Sequence, residues 1–280
     1  MGMCSGLPGR IVLAFLALYL GGCASYSHKA VSMRDNLLAG RADLARQYAE
    51  QEDQNQDDVL ASLNKGMLRR MTDDYVASNE IFEIAKQRME SLYGVSISKA
   101  AASVAINDMV RDYKGDQYEQ VLLHAYMAMN YLQLNELDSA RVEMLQADVK
   151  MMEWGEQPDE DPFVRYFAGM IYEALGEEDQ ALVSYRKARD VYAATIDEHL
   201  LEVPLVLKKD LLRLLAGQAQ WNEYRVLKSE YALDEFKPTK LSQDFGELIV
   251  ILNSGLAPIR TETSIMTFSS EVQGHVRVAF

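Results

Sequence analysis

Gly169-Met170-Ile171-Tyr172-Glu173-Ala174-Leu175-Gly176-Glu177-Glu178-Asp179-Gln180-Ala181-Leu182-Val183-Ser184-Tyr185-Arg186-Lys187-Ala188 reads as two helices folded about a tight turn. Gly176 stands where the first helix ends, and glycine takes the left-handed backbone of such an end at little cost. Gly169, Ala181 and Ala188 are small, which lets two helices approach closely, and Tyr185 supplies the bulk beside them. The same register recurs twice upstream, in segments 59–92 and 121–154 against 162–195. The eighth place holds Gly66, Ala128 and Gly169; the twentieth Ser78, Ala140 and Ala181; the twenty-seventh Ala85, Ala147 and Ala188. Large knobs, Phe82, Met144 and Tyr185, occupy the twenty-fourth place. Asp73, Asn135 and Gly176 fall at the turn, and all three residue types tolerate a left-handed cap.

This pattern resembles the tetratricopeptide repeat. Ala128, Tyr131, Leu132 and Leu134 with Ala140 and Ala147 carry the resemblance in the second copy. Gly169, Tyr172, Leu175 and Gly176 with Ala181, Tyr185 and Ala188 carry it in the third. The first copy departs from it at Lys65 and Arg69, and no copy has the closing proline. An irregular helical bundle is the competing reading. The expected fold class is mainly α, a tetratricopeptide-like helical-repeat array with a small C-terminal β-containing region.

Working outward, residues 93–120 insert between the first two copies and include an apolar, alanine-rich stretch, Ile97 to Val110, read as a further helix. Residues 155–161 form a loop ahead of Pro162. The helix from Val121 to Leu134 is apolar nearly all round and is expected at the centre of the domain. Lys29 to Glu50 reads as one helix, and Leu200 to Leu233 as a capping helix pair bent near Gly217 to Trp221. Glu247 to Leu252 reads as a buried strand and Val276 to Phe280 as a half-buried one. The expected organisation is a leader over 1–22, a tether and N-terminal helix over 23–58, the helical domain over 59–233, and a linker with a small, truncated β region over 234–280.

The leader reading rests on Arg10, the apolar run Ile11 to Leu20, and Leu20-Gly21-Gly22-Cys23. That order is a bacterial export signal with a cleavage site. The apolar run is too short to span a bilayer, which takes roughly 20 residues. Leu20 to Cys23 resembles the lipobox of bacterial lipoproteins, which implies a covalent lipid on Cys23. An ordinary signal with an incidental cysteine is the alternative. Ala24, by the same resemblance, favours the outer membrane, with the protein facing the periplasm. Tyr113-x-Gly115-x-x-Tyr118-Glu119, the alanine-rich repeats and the Gly246 to Pro258 stretch resemble a poorly characterised family of Gram-negative outer-membrane lipoproteins. That resemblance implies a repeat domain followed by a β region, here cut short, and carries no catalytic residues.

The net charge of −14 argues against nucleic acid and against adsorption to anionic headgroups. With Cys4 in the leader and Cys23 acylated, no thiol is left for a disulfide, metal or nucleophile. His28, His124, His199 and His275 show no metal-ligand spacing, and His124 reads as a packed residue. Asp53 to Asp58 opens like a calcium loop but has Asp58 where glycine is needed and Asn64 where glutamate is. The carboxylates of Asp73-Asp74, Asp159-Glu160-Asp161 and Glu177-Glu178 read as helix starts and solubilising charge. No phosphate loop or nucleophile elbow occurs. No metal and no cofactor beyond the lipid is expected.

The expected function is therefore non-catalytic. It is a scaffold binding another envelope protein through its repeats, in peptidoglycan synthesis or the assembly of an envelope or secretion complex. An envelope enzyme with its site in the β region or the 93–120 insert is the alternative. Tetratricopeptide arrays bind through the second, fifth, ninth and twelfth places of each first helix. Those places hold Leu60, Leu63, Met67 and Arg70; then Leu122, Ala125, Met129 and Leu132; then Phe163, Tyr166, Met170 and Glu173. Met129, Tyr166, Met170 and Glu173 are the candidate partner-binding residues, unless the chain itself fills the groove.

Overall fold

The computed structural model describes residues 31–50, 58–100, 113–153, 160–194, 202–238, 248–253, 264–269 and 274–279, with side chains described in all but 94–100 and the last two stretches. The expectations for the leader, Cys23, the Asp53 to Asp57 loop, residues 101–112 of the insert and the loop at 154–159 lie outside the described residues. The chain divides between Pro238 and Thr239 into two compact units.

In the first unit, residues 31–38 form helix α1, followed by α2 (Ala42–Glu50), α3 (Val59–Met71), α4 (Tyr75–Ala100), α5 (Gln117–Gln133), α6 (Leu137–Glu153), α7 (Pro162–Ala174), α8 (Glu178–Ala194), α9 (Leu205–Gly217) and α10 (Trp221–Glu230). Acids start several of them. Asp58 accepts from the backbone N–H of Leu60 at 2.9 Å, and Asp161 from that of Val164 at 3.0 Å, with Pro162 in the first turn. At α5, the Glu119 carboxylate accepts from the Asp116 backbone N–H at 2.8 Å, one half of a capping box.

One turn is used throughout. Gly40, Asp73, Asn135, Gly176, Ala219 and Ala232 all have φ between 52° and 75°. In each case the next residue's N–H reaches back five positions, as from Glu136 to the Tyr131 carbonyl and Glu177 to the Tyr172 carbonyl, both at 2.8 Å. This is the Schellman closure. It corrects the single helix expected over 29–50: Gly40 breaks it, and Arg41 N–H bonds the Asn36 carbonyl at 2.8 Å. It also gives α9 and α10 the repeat geometry, with Ala219 at the turn. The first copy's second helix differs as well, for α4 continues past position 92 to Ala100.

Five residues after the turns stand Ala45, Ser78, Ala140 and Ala181, each 0% exposed. The knobs Phe82, Met144 and Tyr185 are each 1% exposed, and the two rings lie against the eighth place of their copies. A methyl group on Gly66 would meet the Phe82 ring at 2.4 Å, and one on Gly169 the Tyr185 ring at 2.3 Å. The first and third pairs thus close by a ring laid on a bare glycine. Packing runs along the chain, α2 on α3 and then through to α9 on α8 and α10, with α5 also touching α7. Because the twentieth place has no free volume, Ala140→Leu and Ala181→Leu should each cost about 1–3 kcal/mol by overpacking. Denaturant melts of the two variants check this, and parental midpoints in both would show the register to be wrong.

The second unit corrects the expected β region. Residues 248–253 form no strand, and Leu248, Val250 and Leu252 are 87%, 78% and 85% exposed instead of buried. An apolar run becomes a strand only when another strand accepts its backbone bonds, and none is described beside it. Among the described residues, strands β1 (Ser264–Ser269) and β2 (Gly274–Ala279) pair only with each other, antiparallel, with Ile265 opposite Val278. A two-stranded hairpin is marginal on its own and does not amount to a β domain.

Candidate partner-binding face

The inner places of the repeats are carried by α3, α5 and α7, each the first helix of its pair. Leu60, Leu63, Met67, Leu122, Leu132, Phe163, Tyr166 and Met170 are partly exposed there, while Ala125 and Met129 are buried. Of the four residues singled out from sequence, Met129 is therefore withdrawn from the surface at 5% exposure. The Arg70 guanidinium closes over it, with Nη2 3.4 Å from its sulfur.

Arg70 belongs to a polar chain that sequence reading missed. Its Nη1 donates to Asn130 Oδ1 at 2.6 Å. Asn130 is 0% exposed and donates to Ser78 Oγ at 2.9 Å and Asn79 Oδ1 at 2.8 Å. The Ser78 hydroxyl donates to the Gly66 carbonyl at 2.8 Å. Every buried amide group in this chain thus has a partner, which offsets its desolvation. Serine at a place otherwise held by alanine was the signal for it, as was an asparagine inside an apolar helix.

Tyr166 and Glu173 lie at the other end of the face and are tied to α9. The Tyr166 hydroxyl donates to Asp210 Oδ2 at 2.5 Å, and its ring tilts against Tyr185 at 5.3 Å between centroids. Glu173 accepts from Tyr185 Oη and Arg213 Nη2, both at 2.9 Å, and Arg213 also donates to Asp210 Oδ1 at 3.2 Å. The Glu173 carboxylate raises the Arg213 pKa above its ordinary value, and burial pushes the Tyr185 hydroxyl up. Met170 alone of the four is partly exposed with no polar tie. The structure thus brings Tyr166 and Glu173 into one network with Asp210 and Arg213, and leaves Met129 and Met170 apart from it.

Elsewhere His124 is packed, as its helix implied, at 2% exposure with Nδ1 2.7 Å from Glu143 Oε2. Asp161 caps α7, and Glu177 pairs with Arg141 at 2.9 Å. No group of three or more His, Cys, Asp or Glu placed to hold a metal occurs among the described residues. No described helix is long and apolar enough to cross a membrane.

No family model and no curated protein matches the chain. Among solved structures it is similar to MamA of strain AMB-1, at 16% identity and a TM-score of 0.47 over 78% of this chain and 94% of that one. It is similar also to a Podosopora anserina putative kinesin light chain with nearly identical TPR-like repeats, at 12% identity and 0.49 over 74% and 93%. The apo form of RapI aligns at 11% identity and 0.51 over 75% of this chain and 69% of that one. At such identity the likeness concerns the fold alone, and the fold it supports is the one the turns and packing show: a tetratricopeptide-like array of helix pairs.

Proposed function

We propose that this chain is a non-catalytic scaffold, held by a lipid on Cys23 at the periplasmic face of a bacterial outer membrane, which binds another envelope protein along the inner face of its repeats. The observation that carries the binding half is the partly exposed apolar line of Leu63, Met67, Leu122, Phe163 and Met170 on successive first helices. Flexible thioethers and leucines on such a face suit an apolar helix or extended segment. The anchoring half rests on Leu20-Gly21-Gly22-Cys23. Regulation of peptidoglycan synthesis and assembly of an envelope or secretion complex are the processes this placement fits.

Two measurements test it. Cys23→Ser should end incorporation of labelled palmitate, and continued labelling would overturn the anchor. A photo-cross-linking residue at Met170 should trap one recurring envelope protein in cells, whereas one at the outward Val183, 45% exposed, should not. Equal yields from both sites would remove the inner face as the partner site. Met170 is the better probe than Tyr166, because Tyr166→Ala also severs the bond to Asp210 and would confuse binding with folding.

A further inference from the structure

We propose that Arg70 on the inner face of the first repeat is the seat for a carboxylate carried by an extended, otherwise apolar segment of the protein partner. The inference rests on the scaffold reading and adds the chemistry of what is bound. Most of the partly or fully buried arginines of the repeats have an acid: Arg69 has Asp74, Arg141 Glu177, Arg165 Glu160, Arg186 Glu223 and Arg213 Glu173. Arg70 has none among the described residues, in a chain of net charge −14. It meets instead a neutral amide, Asn130, a thioether, Met129, and the face of Tyr126, 5.7 Å from the ring centroid. None of these neutralises it.

A guanidinium carries five N–H donors in a planar fork and keeps its charge in proteins. Two of the nitrogens have one bond each here, so donors remain for a ligand. Burial lowers the Arg70 pKa, which records the same uncompensated desolvation. Beside it, Tyr126 is partly exposed and its hydroxyl bonds no described residue, so its ring brings a second donor near the guanidinium. Asp161, the acid whose field reaches Tyr126, is occupied in capping α7. A carboxylate fits this fork with two charge-assisted bonds, and Leu63 and Met67 flank it for apolar neighbours. At the opposite end Glu173 and Asp210 already hold Arg213. An acidic ligand group is therefore directed to the α3–α5 end, which fixes the orientation of the bound segment.

The test uses the full chain and two fluorescent, capped peptides of leucine and alanine that differ only in a central glutamate or glutamine. The glutamate probe should bind about tenfold tighter, the lower end for charge-assisted bonds. Arg70→Gln should bring that ratio to one or below, since the remaining negative charge repels the glutamate, and Arg70→Lys should retain part of the preference. Tyr126→Phe, which removes only a hydroxyl, should reduce the ratio without moving the melting temperature, and so covers the case that Arg70→Gln misfolds. A ratio near one in the parent, a ratio unchanged in Arg70→Gln, or no binding of either probe would overturn the proposal. Cross-linking at Met170 separates the two readings: a trapped partner with a flat probe ratio overturns the carboxylate alone, and no trapped partner overturns the scaffold.

Discussion

Gly169→Ala should lower the melting temperature by about 6–12 °C, corresponding to about 3 kcal/mol, the upper part of the overpacking range. One methyl group has this effect because of what faces it. The added Cβ would stand 2.3 Å from two atoms of the Tyr185 ring and 3.3 Å from the Ala181 carbonyl oxygen. The ring cannot swing away freely, since Tyr185 is 1% exposed and its hydroxyl is bonded to Glu173 at 2.9 Å. Moving it would loosen Glu173 from the α9 tie as well. Gly66→Ala should behave alike, meeting the Phe82 ring at 2.4 Å. Two other glycines make the comparison specific. Gly176→Ala finds open space but φ of +75°, so its cost is the left-handed strain alone, about 1–2 kcal/mol. Gly217→Ala also finds open space, without a positive φ and at the end of α9, and should be neutral or gain a few tenths of a kcal/mol. The order Gly169 worst, Gly176 intermediate and Gly217 neutral is what thermal melts should return. Gly169→Ala melting with the parent would mean that ring and glycine do not pack as described.

These glycines also show why part of the fold was legible beforehand. Close helix approach excludes bulk at fixed places, so Gly66, Gly169, Ala140 and Ala181 leave a periodic trace in the sequence itself. Turn residues do so only when the side chain advertises the conformation. Asp73, Asn135 and Gly176 were readable, but Ala219 and Ala232 adopt the same positive φ without any such mark. The fourth pair was unrecognisable as a repeat for that reason, and because Leu212 and Tyr224 stand where the other copies are small. Gly40 misled in the opposite way: the apolar spacing continues across it, so one helix was expected where two are bent back on each other. The run 248–252 failed differently, for its composition is that of a strand while pairing is not a local property. The inner face was legible as a set of places, but its electrostatics were not. That Arg213 claims Glu173, while no described acid reaches Arg70, depends on which helix lies alongside, and no spacing in the sequence records it.

Replacing either member of the His124–Glu143 pair alone should destabilise the domain by about 3 kcal/mol or more, and replacing both should cost less than either single change. His124 on α5 and Glu143 on α6 are 2% and 5% exposed, and their side chains meet at 2.7 Å. Lys86 from α4 approaches the other Glu143 oxygen at 3.8 Å and is itself held by Glu83 on its own helix and Gln146 on α6. Three helices from two repeats therefore converge on one carboxylate. His124→Leu would leave Glu143 buried with the distant ammonium as its remaining partner. Glu143→Leu would strand the imidazole and remove one of the acids around Lys86. A buried polar group deprived of its partner keeps its desolvation cost, about 1–3 kcal/mol and more for a carboxylate, whereas an apolar replacement of both members removes that cost together with the attraction. The double variant is the decisive measurement, because simple loss of packing would add across the two sites. Denaturant midpoints in which the double change equals the sum of the singles would show that the two residues fill space independently. A double variant near the parent would show that the pair contributes little net stability, its attraction being offset by the cost of burying both groups.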